Sequence, residues 1–135
     1  MTTTNDTQFV FTKITVADID SAFAFYSNVF GLVEIARISD GEGEMEMHEV
    51  IMGRAGEQGM PVPSLMAQCF PNKLLPPLDG VALGFTTTDI DATIAKAVAA
   101  GASVIAPPTT NVEYQLKSAV LVDPQGATIE LLQYL

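Results

Sequence analysis

Hydrophobic positions outnumber polar ones in "FVFTKITV", residues 9–16, and the stretch is rich in β-branched and aromatic side chains. That pattern predicts a strand. The period then changes. Ile19, Phe23, Tyr26 and Phe30 fall at i, i+4, i+7 and i+11, which is one face of a helix. Asp18 or Asp20 is placed to accept hydrogen bonds from the free amides of the first turn, and its charge suits the positive end of the helix dipole. Gly31 supplies a left-handed stop. "LVEIARIS" and "EMEMHEVIMG" read as two strands around the turn "SDGEGE". The loop "RAGEQGMPVP" leads into an apolar strand, "SLMAQCF".

Residues 71–80, "PNKLLPPLDG", read as a linker, and after them the pattern restarts. "VALGFTTT" is a strand. Ile90, Ile94, Ala97 and Gly101 repeat the helix spacing, each 71 residues after Ile19, Phe23, Tyr26 and Phe30. "SVIAPP", "YQLKSAVLVD" and "ATIELLQYL" are three more strands. "DPQG" makes the tight turn between the last two, with Pro124 at i+1 and Gly126 at i+3. The repeat is also visible by eye, since Asp-Ile-Asp occurs at residues 18–20 and again at 89–91. The predicted class is α+β, a single domain over residues 1–135 built from two tandem βαβββ modules, at about 8–71 and 80–135. Two small sheets curve together, and neither module closes a core alone.

Composition narrows the partners. A chain of 135 residues is in the size range of one domain and long enough to bury about two-thirds of its unfolded surface. Sixteen acidic against six basic residues give a formal charge of −10. Nucleic acid is not expected as a partner, because its binding depends on Lys and Arg neutralising phosphates. An anionic membrane surface is disfavoured by the same field. No apolar run approaches the roughly 20 residues of a membrane span, and "MTTTNDTQ" lacks the features of a signal peptide. Cys69 is the only cysteine, so no intrachain disulfide can form, and the expected location is cytoplasmic.

Three segments, "TVADIDSAFAFYSNVFGL", "TTDIDATIAKAVAAGASV" and "LVDPQGATIELL", occur in order at this spacing. In this the chain resembles the vicinal oxygen chelate superfamily, the glyoxalase and bleomycin-resistance type of protein, from about residue 9 to 134. The resemblance implies curved mixed sheets around a ligand cavity. In metal-using members four side chains hold a divalent cation, one from the first and one from the last strand of each module, and the ion polarises vicinal oxygens of the substrate. Carried onto this chain, the positions are Phe11, a residue near Ala67 with Gln68 as the polar alternative, Ala82 and Glu130. Phe and Ala have no lone pair for a cation, so the expectation is a degenerate site with no metal and no cofactor. Glutathione-using relatives place an arginine four residues after the first ligand, where this chain has Thr15. Lys13 shares a strand face with Phe11 and Thr15 and offers a point charge, not a bidentate fork.

Glu130 is the surviving candidate. Alternation sets Glu130, Leu132 and Tyr134 on one face, which the resemblance turns toward the cavity. Desolvated there, Glu130 would be a general base; otherwise it is a relic at a strand edge. His48 is the only histidine. With Glu44 and Glu46 it alternates onto one strand face, a possible zinc pair, but a solvated acidic hairpin is the simpler reading, with Met45 and Met47 facing the core. "GRAGEQG" lacks the Gly-Lys-Ser/Thr ending of a phosphate loop. Cys69 reads as a small core residue, and Met52, Met60 and Met66 as cavity lining or core filler.

Three functions follow as expectations. The first is metal-independent binding of an apolar or aromatic small molecule, of a sequestration or resistance type, oriented by Glu130 and Lys13. The second is a lyase, isomerase or epimerase with Glu130 as base. The third keeps a non-standard metal site from Glu130, Gln68 and His48. Relatives often dimerise so that paired sheets complete a cavity, and exposed strand edges favour a homodimer here.

Overall fold

A computed structural model describes residues 6–7, 9–56, 61–74 and 79–135. Met60 and the last three residues of "GRAGEQG", 57–59, lie outside the described residues. The element order is β1 (Thr12–Thr15), α1 (Ile19–Phe30), β2 (Val33–Asp40), β3 (Met47–Ala55), β4 (Pro61–Cys69), β5 (Ala82–Thr86), α2 (Ile90–Ala99), β6 (Ser103–Asn111), β7 (Leu116–Val122) and β8 (Thr128–Tyr134). Two four-stranded mixed sheets result, ordered β1-β4-β3-β2 and β5-β8-β7-β6. In each sheet only the first strand is parallel to its neighbour. The chain is thus a tandem βαβββ protein.

Each helix starts where an aspartate can cap it. The Asp18 carboxylate accepts from the Asp20 and Ser21 amides at 2.9 and 3.3 Å, and from the Ser21 hydroxyl at 2.9 Å. Those bonds, the Ser21 hydroxyl first, hold its carboxyl below the usual range. Asp89 caps α2 by accepting from Ala92 N at 3.0 Å. The stops differ. Gly31 ends α1 at φ 71°, in the left-handed region. In α2 the cap is Ala100 at φ −91°, so Gly101 lies beyond the helix and not on its repeated face. The buried face of α1 is also broader than the four-residue stripe, because Ala22, Phe25 and Val29 are buried with Tyr26.

Three strand expectations shift. β4 begins at Pro61, not Ser64. Its first residues pair with β3 alone, because β1 joins only from Leu65. Proline is tolerated there, since that edge needs no donor. β3 begins at Met47, and the preceding residues Gly43–Met45 form a 3₁₀ turn. Glu44 is therefore off the strand, and Met45 is 63% exposed. The buried face of β3 carries Val50 and Met52, which share parity with His48.

The core lies between the helices and the inner sheet faces. It contains Ile14, Val50, Met52, Leu65 and Ala67 from the first sheet, and Ala119, Leu121, Ile129 and Leu131 from the second. Ala67 is fully buried in this layer. The modules meet through aromatic rings, with Phe30 stacked on Phe85 at 3.8 Å between centroids. They also meet through a buried polar joint. The Tyr26 hydroxyl donates to Asp123 Oδ2 at 2.6 Å, while Asp123 Oδ1 accepts the Gln125 and Ala127 amides. Burial first, then the Asp123 charge, pushes the Tyr26 phenol well above its ordinary range. The Gln125 side chain accepts from Asp18 N and donates to Asp18 O.

Candidate functional site

With Ile14, Leu65, Ala67, Val50 and Met52 turned to the core, strand alternation aims their neighbours at the opposite, open face. On the first sheet that face carries Lys13 and Thr15 from β1, Met66 and Gln68 from β4, and Glu49 and Ile51 from β3. The pairing sets Thr15, Gln68 and Glu49 in one row, and Lys13, Met66 and Ile51 in the next. Gln68 Nε2 donates to Thr15 Oγ1 at 3.1 Å. Lys13 Nζ reaches diagonally across β4 to within 2.7 Å of Glu49 Oε2. It also lies 5.9 Å from the Phe11 ring centroid.

Glu49 is 3% exposed. Its Oε2 lies in 2.7 Å ionic contact with Lys13 Nζ. A buried carboxylate is costly to fold without such a partner. Reasoning from sequence did not single out Glu49, because it weighed only the Glu44, Glu46 and His48 face of this strand, and Glu49 lies on the opposite parity. The signal was the pair Val50 and Met52, whose burial fixes Glu49 on the other face.

The second sheet presents Ala82, Gly84 and Thr86 from β5, Glu130 and Leu132 from β8, and Ser118 and Val120 from β7. Glu130 is exposed, so the desolvation expected of a base is not provided within the single chain. Its cross-strand neighbours are Gly84 and Val120, neither of whose side chains can pair with a carboxylate. Leu132 is half-buried and Tyr134 is 67% exposed. The predicted site residues are therefore divided. Lys13, Thr15 and Gln68 are together on one sheet; Ala82, Glu130 and Leu132 are together on the other. Phe11 precedes β1 and is 42% exposed. A pocket of about 190 Å3 at the meeting of β1, β4 and β5 brings Ala82 and Gly84 next to Thr12 and Ser64.

The register corrects one position. Lys13 pairs with Met66, and Gly84, 71 residues on, pairs with Glu130. The first-module equivalent of Glu130 is thus Met66, and Ala67 is a core residue facing the other way. With that register, the positions to which the resemblance points for a cation become Phe11, Met66, Ala82 and Glu130. One hard oxygen donor among them does not fit a divalent ion of the magnesium or manganese kind. Among the described residues no three His, Cys, Asp or Glu side chains cluster as a metal site.

A second concavity, of about 440 Å3, lies on the helix side between the start of α1 and strands β2 and β3. His48 bonds Ser39 Oγ through Nδ1 at 2.8 Å and Glu46 Oε2 through Nε2 at 2.9 Å, on the exposed hairpin. Arg37 donates to Asp20 and Glu34, and the bond accepted by Asp20 raises its pKa most. Cys69 donates to Ala17 O at 3.2 Å, and burial pushes its thiol up. A raised thiol is a poor nucleophile.

Residues 8–131 match the family model of the Glyoxalase/Bleomycin resistance protein/Dioxygenase superfamily. The chain belongs to this superfamily. No curated protein matches it. Among solved structures it is similar to a glyoxalase family protein from Bacillus cereus, with 19% identity, 100% of this chain and 99% of that one covered, and a TM-score of 0.77. A variant of glyoxalase I from Zea mays shares 19% identity at a TM-score of 0.71; the match covers 92% of this chain but only 45% of the maize protein, so this chain spans about half its length. A fosfomycin resistance protein from Listeria monocytogenes, solved with Mn(II) and a dihydroxypropylphosphonic acid, shares 18% identity over 92% of this chain and 90% of that one, at a TM-score of 0.65. At these identities the likeness is one of fold. No helix among the described residues is long and apolar enough to cross a membrane.

Proposed function

We propose that this superfamily member binds a small organic molecule on its open sheet faces without a resident metal. The observation that carries the reading is the composition of the cavity face. The positions available to a cation are Phe11, Met66, Ala82 and Glu130, while Ile51, Met66, Val120 and Leu132 offer apolar surface in the same layer. Pockets of this kind combine apolar walls with a few polar groups that fix orientation. Lys13, Gln68 and Thr15 are those groups on the first sheet, and Glu130 on the second. The ligand is apolar or aromatic in its bulk. A second copy of the chain would cover these faces, and the exposed strand edges favour such a homodimer. Elemental analysis of protein purified without chelator tests the reading. Substoichiometric divalent metal is expected, and one tightly held ion per chain would overturn it.

A second reading is an enzyme, a lyase, isomerase or epimerase acting next to a carbonyl. The position of Glu130 favours it, with no side-chain partner across either neighbouring strand. In that reading Glu130 takes a proton once a ligand or second chain removes water from it. Glu130→Gln should then abolish turnover of any substrate found, and unchanged turnover would remove this reading.

A further inference from the structure

Arg54 near the end of β3 follows Val50 and Met52 at the same parity, so it leaves the sheet on the helix side and not on the open face. The core ends there. Beyond it lies a concavity of about 620 Å3, lined by Arg54, by Phe30 and Leu32 at and just past the end of α1, by Phe85 of β5, and by Phe9 and Val62. That volume suits a small organic molecule. The stacked rings of Phe30 and Phe85, 3.8 Å apart, give it a flat aromatic wall. Although the chain has sixteen acids, Arg54 is the only charged side chain lining the cleft among the described residues. Lys13, Arg37 and Lys117 each reach a carboxylate, whereas Arg54 is exposed and makes no ion pair among the described residues. The cleft therefore sets a spare guanidinium beside aromatic surface.

We propose that this cleft is a second ligand site, and that its ligand is a small carboxylate with an aromatic body. The planar guanidinium fork matches the two oxygens of a carboxylate and can bond both at once. The ligand ring would pack against the Phe30–Phe85 wall, where aromatic contact adds to the burial of apolar area. The site uses neither Lys13 nor Glu130, so it stands apart from the open-face reading. The charge of −10 repels an anion at long range, but at about 0.15 M salt that field is screened beyond about 8 Å and the local cation decides.

The test uses phenylacetate, phenylacetamide and acetate. Each is titrated into the full chain at about 0.15 M salt, with backbone amide shifts read by NMR. Phenylacetate is expected to shift the amides around Phe30, Arg54 and Phe85. It should bind at least about tenfold more tightly than phenylacetamide, which lacks the charge, and than acetate, which lacks the ring. Arg54→Met should lower phenylacetate affinity by about tenfold or more and leave phenylacetamide affinity within about twofold, while Arg54→Lys, which keeps the charge without the fork, should fall between. Thermal melts confirm that each variant is folded. Equal affinity for phenylacetate and phenylacetamide at this cleft, or unchanged phenylacetate affinity in folded Arg54→Met, overturns the site and leaves the open-face reading standing. Shifts confined to the amides around Lys13, Gln68 and Glu130 also overturn it, and support the open-face reading instead.

Discussion

The two modules share a backbone plan and differ on the face that matters. Both open with a strand, cap a helix with aspartate and place a four-stranded sheet in one order. The first module's open face carries a buried carboxylate, a lysine and a bonded Gln68–Thr15 pair. The equivalent surface of the second has Gly84 where the first has Lys13, Leu132 where it has Gln68, and Ser118 where it has Glu49. Its own acid, Glu130, occupies the position of Met66. The repeat keeps what the core needs, while the open faces differ: the first carries a buried ion pair and a bonded amide–hydroxyl pair, the second a single exposed acid among small and apolar side chains.

The sharpest way to break this comparison is through two glycines. A Cβ on Gly53 would lie 1.8 Å from the Val62 carbonyl oxygen, whereas one on Gly84 would meet nothing within 4 Å. Gly53→Ala should cost about 3 kcal/mol or more, because two backbones must separate. Gly84→Ala should stay within about 0.5 kcal/mol. Denaturant melts of both variants decide it, and equal effects would mean that the β3–β4 approach is looser than described.

Next in size is Lys13→Met. It leaves Glu49 buried without its cation, which in a fully buried pair costs about 3–5 kcal/mol. With Lys13 half-exposed, about 2 kcal/mol is expected by chemical denaturation. The joint between modules comes third. Tyr26→Phe deletes a donor to Asp123 but leaves two backbone amides on that carboxylate, so about 1 kcal/mol is expected.

That joint also has a pH signature. The Tyr26 phenol is raised in the folded state, so its contribution is complete below the unfolded value near 10 and declines as pH rises beyond it. Tyr26→Phe should flatten the alkaline limb of a stability profile. Asp18 works in the opposite direction. Its carboxyl is lowered, so its contribution is present above about pH 4 and declines as pH falls below it; Asp18→Ala should flatten the acid limb. Smallest of all is Glu130→Gln. Glu130 is exposed and without a side-chain partner across its strand neighbours, so its melt should move by less than about 0.5 kcal/mol. A larger loss would show that Glu130 has a structural role and the two faces are less different than they look.

Periodicity alone sufficed for the modules, the helix starts at Asp18 and Asp89, and the 71-residue register, because these depend on local spacing and capping. The same local rules place Lys13 and Thr15 on one face, while Gln68 joins them only through the pairing of β1 with β4. They fail at Ala67 and Glu49, where one residue of register decides between core and open face. A strand with apolar residues at both parities, such as "EMEMHEVIMG", cannot choose its inner face by itself. Only packing chose it, because Val50 and Met52 had to meet α1 and the neighbouring strands. The partnership of Tyr26 with Asp123, 97 residues apart, was likewise decided in three dimensions. So was the separation of Glu130 from Lys13 onto different sheets. Local backbone preferences are written in short stretches of chain, but which polar groups are buried together depends on how distant strands align.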